Sequence, residues 1–547
     1  MDPRLHGDDD QDKKTRCDAK PSPCHARLDP PPRHARLDRA SMDPRLHGDD
    51  DHDKKTRCDA KPSPRHARLN PPPRHARLDR ASMDPRFHGD DNSAGDDNSA
   101  EDDKSAGNSC MTSKRLDVAI IGAGWAGMAA AVEATRAGHA VTVFEASRQT
   151  GGRARALPGV MCNGQPITVD NGQHILIGAY TESLRLMRLV GVDPKTTLLR
   201  LPMTLRFADG SGLRLPRLPA PFNLLVGVLG ARGWQQADKT ALLRAANQWR
   251  KDRFQCDTQL SVAALCQGLP ARVLAELIEP LCVSALNTPP ARASAQVFLR
   301  VLGDALFGVS GGSNLLLPRV DLGALFPEAA AGWLVQHGGH VALETRVNSV
   351  LAQGTQWRVQ GQLFDAAIFA TTSTNAALTL DATAFAAPES IAKQIHAWRQ
   401  TSRALQFEPI ATIYAWGAQA RLSQPMLGLH SQPGATDGAA PAQFVFDRGQ
   451  LGGPAGLLAF VASASRWDAA TVQRQVLQQA QDQLGIRLQA VQTVVEKRAT
   501  FACTPGLLRP PIRISPGLLA CGDYVAGPYP ATLEGAVRSA MDAVKAL

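Results

Sequence analysis

Tyrosine is scarce in this chain, with four in 547 residues, so there is little material for an aromatic cage around an amine. The ten cysteines form no C-x-x-C pair and none sits near paired histidines, which leaves zinc and thioredoxin-type chemistry unsupported. Scattered single cysteines fit a reducing cytosol. No apolar run reaches the ~20 residues that span a bilayer. No apolar h-region opens the chain, so a secretory signal is not expected. The formal charge is +9, but the basic residues are spread out, with no basic stripe interleaved with aromatics. Nucleic acid is therefore not an expected partner. With 44% hydrophobic and 20% charged residues, the composition is that of an ordinary soluble protein.

Residues 1–110 are polar, proline-rich and nearly free of large apolar side chains, so they cannot bury a core. The run Met-Asp-Pro-Arg begins at Met1, Met42 and Met83, a period of 41 residues. The first two copies differ only at Gln11/His52, Cys24/Arg65 and Asp29/Asn70. Near-identity at a period that matches no solenoid points to a recent duplication of DNA. The expectation is a translated intergenic repeat, with synthesis beginning at Met111; a functional disordered tail is the alternative. N-terminal sequencing of the native protein separates the two.

The stretch from Asp117 to Glu145 carries the strongest signal. Val118 to Ile121 is a short apolar, β-branched run suited to a buried parallel strand. Gly122, Gly124 and Gly127 then give G-x-G-x-x-G. The first glycine permits a tight turn, the second lets a pyrophosphate approach the backbone, and the third lets the next helix pack close. Trp125 and Ala126 open that alanine-rich helix, whose N-terminus offers free N–H groups and a positive dipole end. A second strand, Ala140 to Phe144, ends at Glu145 and Ala146; an acid there accepts a ribose hydroxyl. A lone glycine pattern is weak evidence, but here it has the strand–turn–helix setting and the acid that a dinucleotide site requires.

Directly after comes Thr150-Gly151-Gly152-Arg153-Ala154-Arg155, where two glycines allow another close approach and Arg153 or Arg155 can reach a phosphate. Near the far end, Gly517 to Tyr524 reads as a strand followed by Gly522-Asp523, leading into a helix from Thr532 and Leu533 to Val544. Together these segments resemble the flavin-containing amine oxidase and phytoene desaturase superfamily. The resemblance implies FAD rather than NAD, with Asp523 facing its ribityl–pyrophosphate region and the Thr532 helix aimed at the flavin. It also implies that the Val347 backbone holds the adenine. It implies an α/β fold, a Rossmann-like FAD-binding domain with an inserted α+β substrate domain. The expected FAD-binding parts are 111–178, 315–372 and 505–547, and the substrate-binding parts are 179–314 and 373–504.

Asp170-Asn171-Gly172-Gln173-His174 through Tyr180 narrows the resemblance to the bacterial hydroxysqualene dehydroxylases, the squalene-associated FAD-dependent desaturases. Glu279 to Pro290, Leu315 to Pro327 and Gly527 to Gly535 agree with it. That family implies a long isoprenoid substrate, hydroxysqualene reduced to squalene by hydride from reduced flavin. The departing allylic hydroxyl needs a proton donor, for which Asp170, His174 and Tyr180 are the catalytic candidates. Each has a plainer role open to it: Asp170 as a turn residue, His174 as a hydrogen-bonded core histidine, Tyr180 as a pocket wall or helix cap. Glu534 and Arg319 read as structural. No metal is expected, and the electron donor stays open. The rival readings are a phytoene-type desaturase, another amine oxidase-like flavoenzyme, or a non-catalytic prenyl-binding escort.

Between these motifs the spacing predicts helices over 181–190, 241–249, 261–268, 271–282, 293–306, 321–336 and 470–484. It predicts strands at 167–170, 340–343, 347–353, 366–370, 411–415, 443–446, 457–461 and 491–498. The run Leu218 to Ala231 is apolar but too short to span. It reads either as a buried helix of the substrate domain or as a surface that dips into a membrane, with Arg217, Arg232 and Trp234 at the interface. The second reading would make the protein peripheral on the inner face of the cytoplasmic membrane.

Overall fold

The structure, a computed structural model, describes residues 114–432 and 439–547. The repeat leader lies outside the described residues. A six-stranded sheet runs in the order 340–342, 140–144, 117–121, 366–369, 518–520 and 513–515. The first five strands are parallel and the last is antiparallel. Val118 to Ile121 lies in the middle of this sheet, buried on both faces, as its unbroken apolar run demands.

One face of the sheet is covered by the glycine-loop helix Trp125–Arg136 and the C-terminal helix Leu533–Lys545. Their contact is made of small residues: Ala129, Ala130, Ala536 and Ala540 are all buried in one cluster with Val132 and Val537. Small side chains let the two backbones approach closely, so the N-termini of both helices point toward the carboxyl ends of the strands, where ligands of open α/β sheets bind.

A second sheet is antiparallel, in the order 426–428, 444–447, 457–463, 407–416 and 489–501. Helix Ala469–Leu484 covers its far side, started by Asp468, whose carboxylate accepts from the Ala470 and Thr471 N–H groups. The helices between residues 222 and 307 form the remaining layer.

Three sequence expectations change. The helix expected over 321–336 is two, Leu322–Leu325 and Pro327–Gln336. Pro327 has no N–H to continue the first and is well placed at the first position of the second. Asp321 caps the first through the Ala324 N–H, as the sequence suggests. The stretch 271–286 is a helix interrupted by one π turn, Leu274–Ile278. Helices Ser373–Ala386 and Glu389–Arg403 carry no reading in the sequence. Trp234 is not an interface residue: it is buried, and its Nε1 donates to Glu276 at 2.8 Å.

Candidate functional site

At the carboxyl end of the central strand, the backbone turns at Gly122 with φ +109°, where a Cβ would lie 2.8 Å from the Ala370 carbonyl oxygen. At Gly127 a Cβ would lie 1.8 Å from the Gly122 oxygen, so only glycine allows the helix to sit on the turn. Gly124 differs: its Cβ would meet nothing closer than 3.9 Å. That open side, at the end of a helix with no side-chain cap, is where an anion can reach the first N–H groups. Trp125 and Ala126 are buried, so they present backbone rather than side chain.

Gly151 pairs with Gly124 as an isolated bridge, and its N–H donates to the Ala123 carbonyl at 2.9 Å. Gly152 lies over Gly124 with φ +61°. The Thr150 hydroxyl beside them is buried without a protein partner. Such an orphan at the lip of a glycine cradle fits a ligand that brings its own acceptors. Glu145 is already fixed: its carboxylate accepts from the Ala123 N–H at 2.7 Å, the Ser147 N–H at 2.9 Å and the Ser147 hydroxyl at 2.8 Å. Ala146 sits exposed between them. The Thr345 N–H donates to the Glu145 carbonyl at 2.8 Å, bringing the segment that leads to Val347 beside the same acid.

The C-terminal pieces close on this cradle. Arg153 donates to Asp523 at 2.5 Å and to the Ala499 carbonyl at 2.5 Å, so the two charged residues expected to meet the cofactor pair with each other. Arg155 turns back to the Gly152 carbonyl at 2.7 Å. The Gly522 N–H is held by Ser539 at 2.9 Å. Thr532 caps the last helix through the Gly535 N–H at 3.0 Å, and Leu533 is its first residue. Tyr529 and Ala531 just before it adopt φ +57° and +60°, which is strain for residues with a Cβ.

The three catalytic candidates do not converge. The buried Asp170 carboxylate accepts from the Leu322 N–H at 2.8 Å. Burial pushes its carboxyl up to about 7; the Leu322 bond and the Arg448 charge only partly oppose this. Tyr414 brackets its backbone, accepting from the Asp170 N–H at 3.2 Å and donating to the Asp170 carbonyl at 3.0 Å. His174 holds the Gly172 carbonyl at 2.7 Å through Nδ1. A carbonyl can only accept, so Nδ1 carries the proton and, in the neutral ring, Nε2 is an acceptor. Burial, and to a lesser degree Arg153, hold this imidazole below its ordinary value, although the Gly172 bond opposes them. Tyr180 sits elsewhere, at the start of helix Thr181–Leu189; burial, with Glu534 nearby, raises its hydroxyl above the usual range.

Glu534 is structural, as the sequence reading holds. Its fully buried carboxylate accepts from the Glu182 and Ser183 N–H groups, the Ser183 hydroxyl and Arg538, so it caps a helix 350 residues away. Tyr414, Thr412 and Arg448, which brace the Asp170–His174 loop, carry no signal in the sequence beyond lying in or after apolar strands.

A separate cavity of about 50 Å³ lies between the 204–214 hairpin and the helices of residues 222–307. All sixteen residues lining it are apolar, among them Leu224, Val228, Leu242, Trp249, Leu281 and Phe307.

The sequence model for the flavin containing amine oxidoreductases matches residues 125–547, more than three quarters of the chain. The chain belongs to this family. As a flavin containing amine oxidoreductase with a dinucleotide cradle, it is an FAD-dependent oxidoreductase. The hydroxysqualene dehydroxylase of Sinorhizobium fredii is 27% identical over 440 residues, 77% of this chain and 96% of that protein. The hydroxysqualene dehydroxylase of Rhodopseudomonas palustris is 26% identical over 447 residues, with the same coverage of 77% and 96%. An oxidoreductase from Methanosarcina mazei shares the family fold, with a TM-score of 0.58 at 15% identity over 78% of this chain and 100% of its own. Among the described residues no helix is long and apolar enough to cross a membrane.

Proposed function

We propose that this flavin containing amine oxidoreductase reduces hydroxysqualene to squalene. The observation that carries the reading is the cavity: a lining of apolar side chains alone suits a hydrocarbon and no amine. The two relatives named hydroxysqualene dehydroxylase, matched over almost their whole length, support the same substrate class. In this reading residues 111–178, 315–372 and 505–547 bind FAD, and residues 179–314 and 373–504 hold the isoprenoid. The protein works in the cytoplasm and meets its substrate at the membrane.

The net change replaces an allylic C–O bond by C–H: the carbon gains a hydride, and the hydroxyl leaves as water after taking one proton. When bound, reduced FAD supplies the hydride. The chain supplies the rest. The glycine cradle and the two helix N-termini would hold the cofactor through backbone N–H groups. Glu145 would receive the ribose and the Val347 backbone the adenine, and Arg153 with Asp523 would border the ribityl–pyrophosphate region. The apolar cavity excludes water from the isoprenoid. Of the three candidates, Asp170 is best suited to hold the proton, because a carboxyl near 7 is half protonated at neutral pH and can give it up. His174 is the poorer donor, since its one proton is engaged by Gly172.

The test is anaerobic. Protein with reduced flavin is mixed with hydroxysqualene, and oxidised-flavin absorbance is followed beside the lipid product. Return of absorbance with one squalene per flavin is expected. No return, with phytoene instead reducing oxidised flavin, overturns the reading in favour of a desaturase.

A further inference from the structure

Helix Phe222–Leu229 has two apolar faces in different surroundings. Leu224 and Val228 line the cavity. Phe222, Leu225, Val226 and Leu229, spaced i, i+3, i+4 and i+7, point the other way and are 59%, 42%, 46% and 51% exposed. Leu218 in the preceding loop is 45% exposed. The helix is fixed in this orientation. Gly227 is pressed on the 204–214 hairpin, where a Cβ would come 2.5 Å from the Leu215 side chain. Lys239 Nζ closes its last turn by donating to the Leu229 carbonyl at 2.9 Å.

Such a stripe on a water-exposed surface marks something that covers it. The charges around it say what. Residues 202–236 hold four arginines, Arg206, Arg214, Arg217 and Arg232, against one exposed acid, Asp209, which is engaged by His430 at 3.2 Å. Burial and the neighbouring Arg232 and Arg214 together hold the Arg206 guanidinium below its ordinary value, so three of the four lie close together. An outward apolar stripe on a helix flanked in the chain by Arg217 and Arg232 is the pattern of a helix lying in an anionic lipid interface. At about 12 Å long it can lie in that plane but not cross it.

We propose that helix Phe222–Leu229 seats the protein on an anionic phospholipid bilayer and is the door between the bilayer and the cavity. The docking stands on the surface alone; the door rests on the isoprenoid reading given above. One face of the helix touches lipid and the other touches the cavity, so a hydrocarbon passing beside it never meets water.

The test uses the holoenzyme, vesicles of phosphatidylcholine with or without phosphatidylglycerol, and hydroxysqualene supplied either in those vesicles or in detergent micelles. The variant is Phe222→Asp/Leu225→Asp. Both positions face outward, and both lie in the first half of the helix, where acids are tolerated. The wild type is expected to sediment with phosphatidylglycerol vesicles, less so at high salt or with phosphatidylcholine alone. The double variant should lose at least ~30-fold of that binding. It should keep its flavin absorbance and its turnover of micellar substrate, and lose turnover of vesicle-borne substrate. Arg217→Gln and Arg232→Gln should each cost about fivefold, on phosphatidylglycerol vesicles only. A wild type that sediments with neither vesicle, or a double variant that sediments like wild type, overturns the docking. Lost sedimentation with unchanged turnover of vesicle-borne substrate overturns the door. Sedimentation as expected without turnover of hydroxysqualene in micelles sinks the proposed reaction and leaves the docking standing.

Discussion

The glycine loop at residues 122–127 and the cavity of residues 203–307 belong to the same compact unit, yet they are made in opposite ways. The loop works by what its side chains leave out: at Gly122 and Gly127 any Cβ would strike a carbonyl oxygen. The cavity works by what its side chains fill in, with large apolar groups that can trade volume with their neighbours. A site made of backbone is fixed by a few positions. A site made of side chains is specified only in sum.

The sharpest way to break this comparison is one substitution in each. Gly127→Val puts a branched side chain where a single carbon would already lie 1.8 Å from an oxygen. We expect at least ~100-fold less FAD retained per protein, read from flavin absorbance after gel filtration. Leu281→Ala in the cavity wall should leave flavin content unchanged and alter KM for the isoprenoid by less than ~10-fold. Equal flavin content in the two variants would remove the distinction.

Glu534 tests whether the last helix is held by its packing or by its cap. Glu534→Ala takes the only carboxylate from two N–H groups, a hydroxyl and Arg538, all within a buried site. A loss of about 3–5 kcal/mol in urea unfolding is expected. A loss under ~1 kcal/mol would mean the alanine interface with Trp125–Arg136 holds the helix alone.

These two cases also show what could be read in advance. The glycine loop was legible because its constraint is local: each glycine answers to atoms within a few residues or to the neighbouring strand. The break at Pro327 went unread: one helix was expected over 321–336, although proline cannot continue a helix. Glu534 could be read only as structural, because the Ser183 N–H and hydroxyl it accepts from lie 351 residues away and nothing in either segment names the other. Helix Ser373–Ala386 went unread because small apolar residues occur all round it, leaving no periodic face. Trp234 looked like an interface anchor next to Arg232, and only the fold supplies the buried Glu276 that claims its N–H.

Asp170 gives a smaller effect with a definite sign. Its carboxyl is near 7 in the folded protein against an ordinary 3.8, so the folded state favours the protonated form. That stability is complete below about pH 4 and is lost as pH rises through 7. Asp170→Asn keeps an oxygen for the Leu322 N–H and cannot ionise. Relative to this variant, the wild type should lose roughly 2–3 kcal/mol between pH 5 and pH 8. Parallel stability curves would show that the carboxyl is not held in its acid form. If Asp170 holds the proton for the leaving hydroxyl, the same variant should lower kcat by about 100-fold, with little change in KM.

The smallest effect is expected at His174, and it separates a proton donor from a brace. Its Nδ1 proton belongs to the Gly172 carbonyl, and burial keeps the ring neutral, so Nε2 has no proton to give. What His174→Ala removes is a support for the Asn171–Gly172 turn, which also rests on Thr412 through the Gln173 N–H. Turnover should fall by less than about 10-fold, and the acid limb of the pH profile should keep its position. His174→Asn, which can still donate to the Gly172 carbonyl, should recover most of the loss. A fall of ~100-fold or more that asparagine does not rescue would return the histidine to the chemistry, because general acid catalysis is typically worth that much and a turn brace is not.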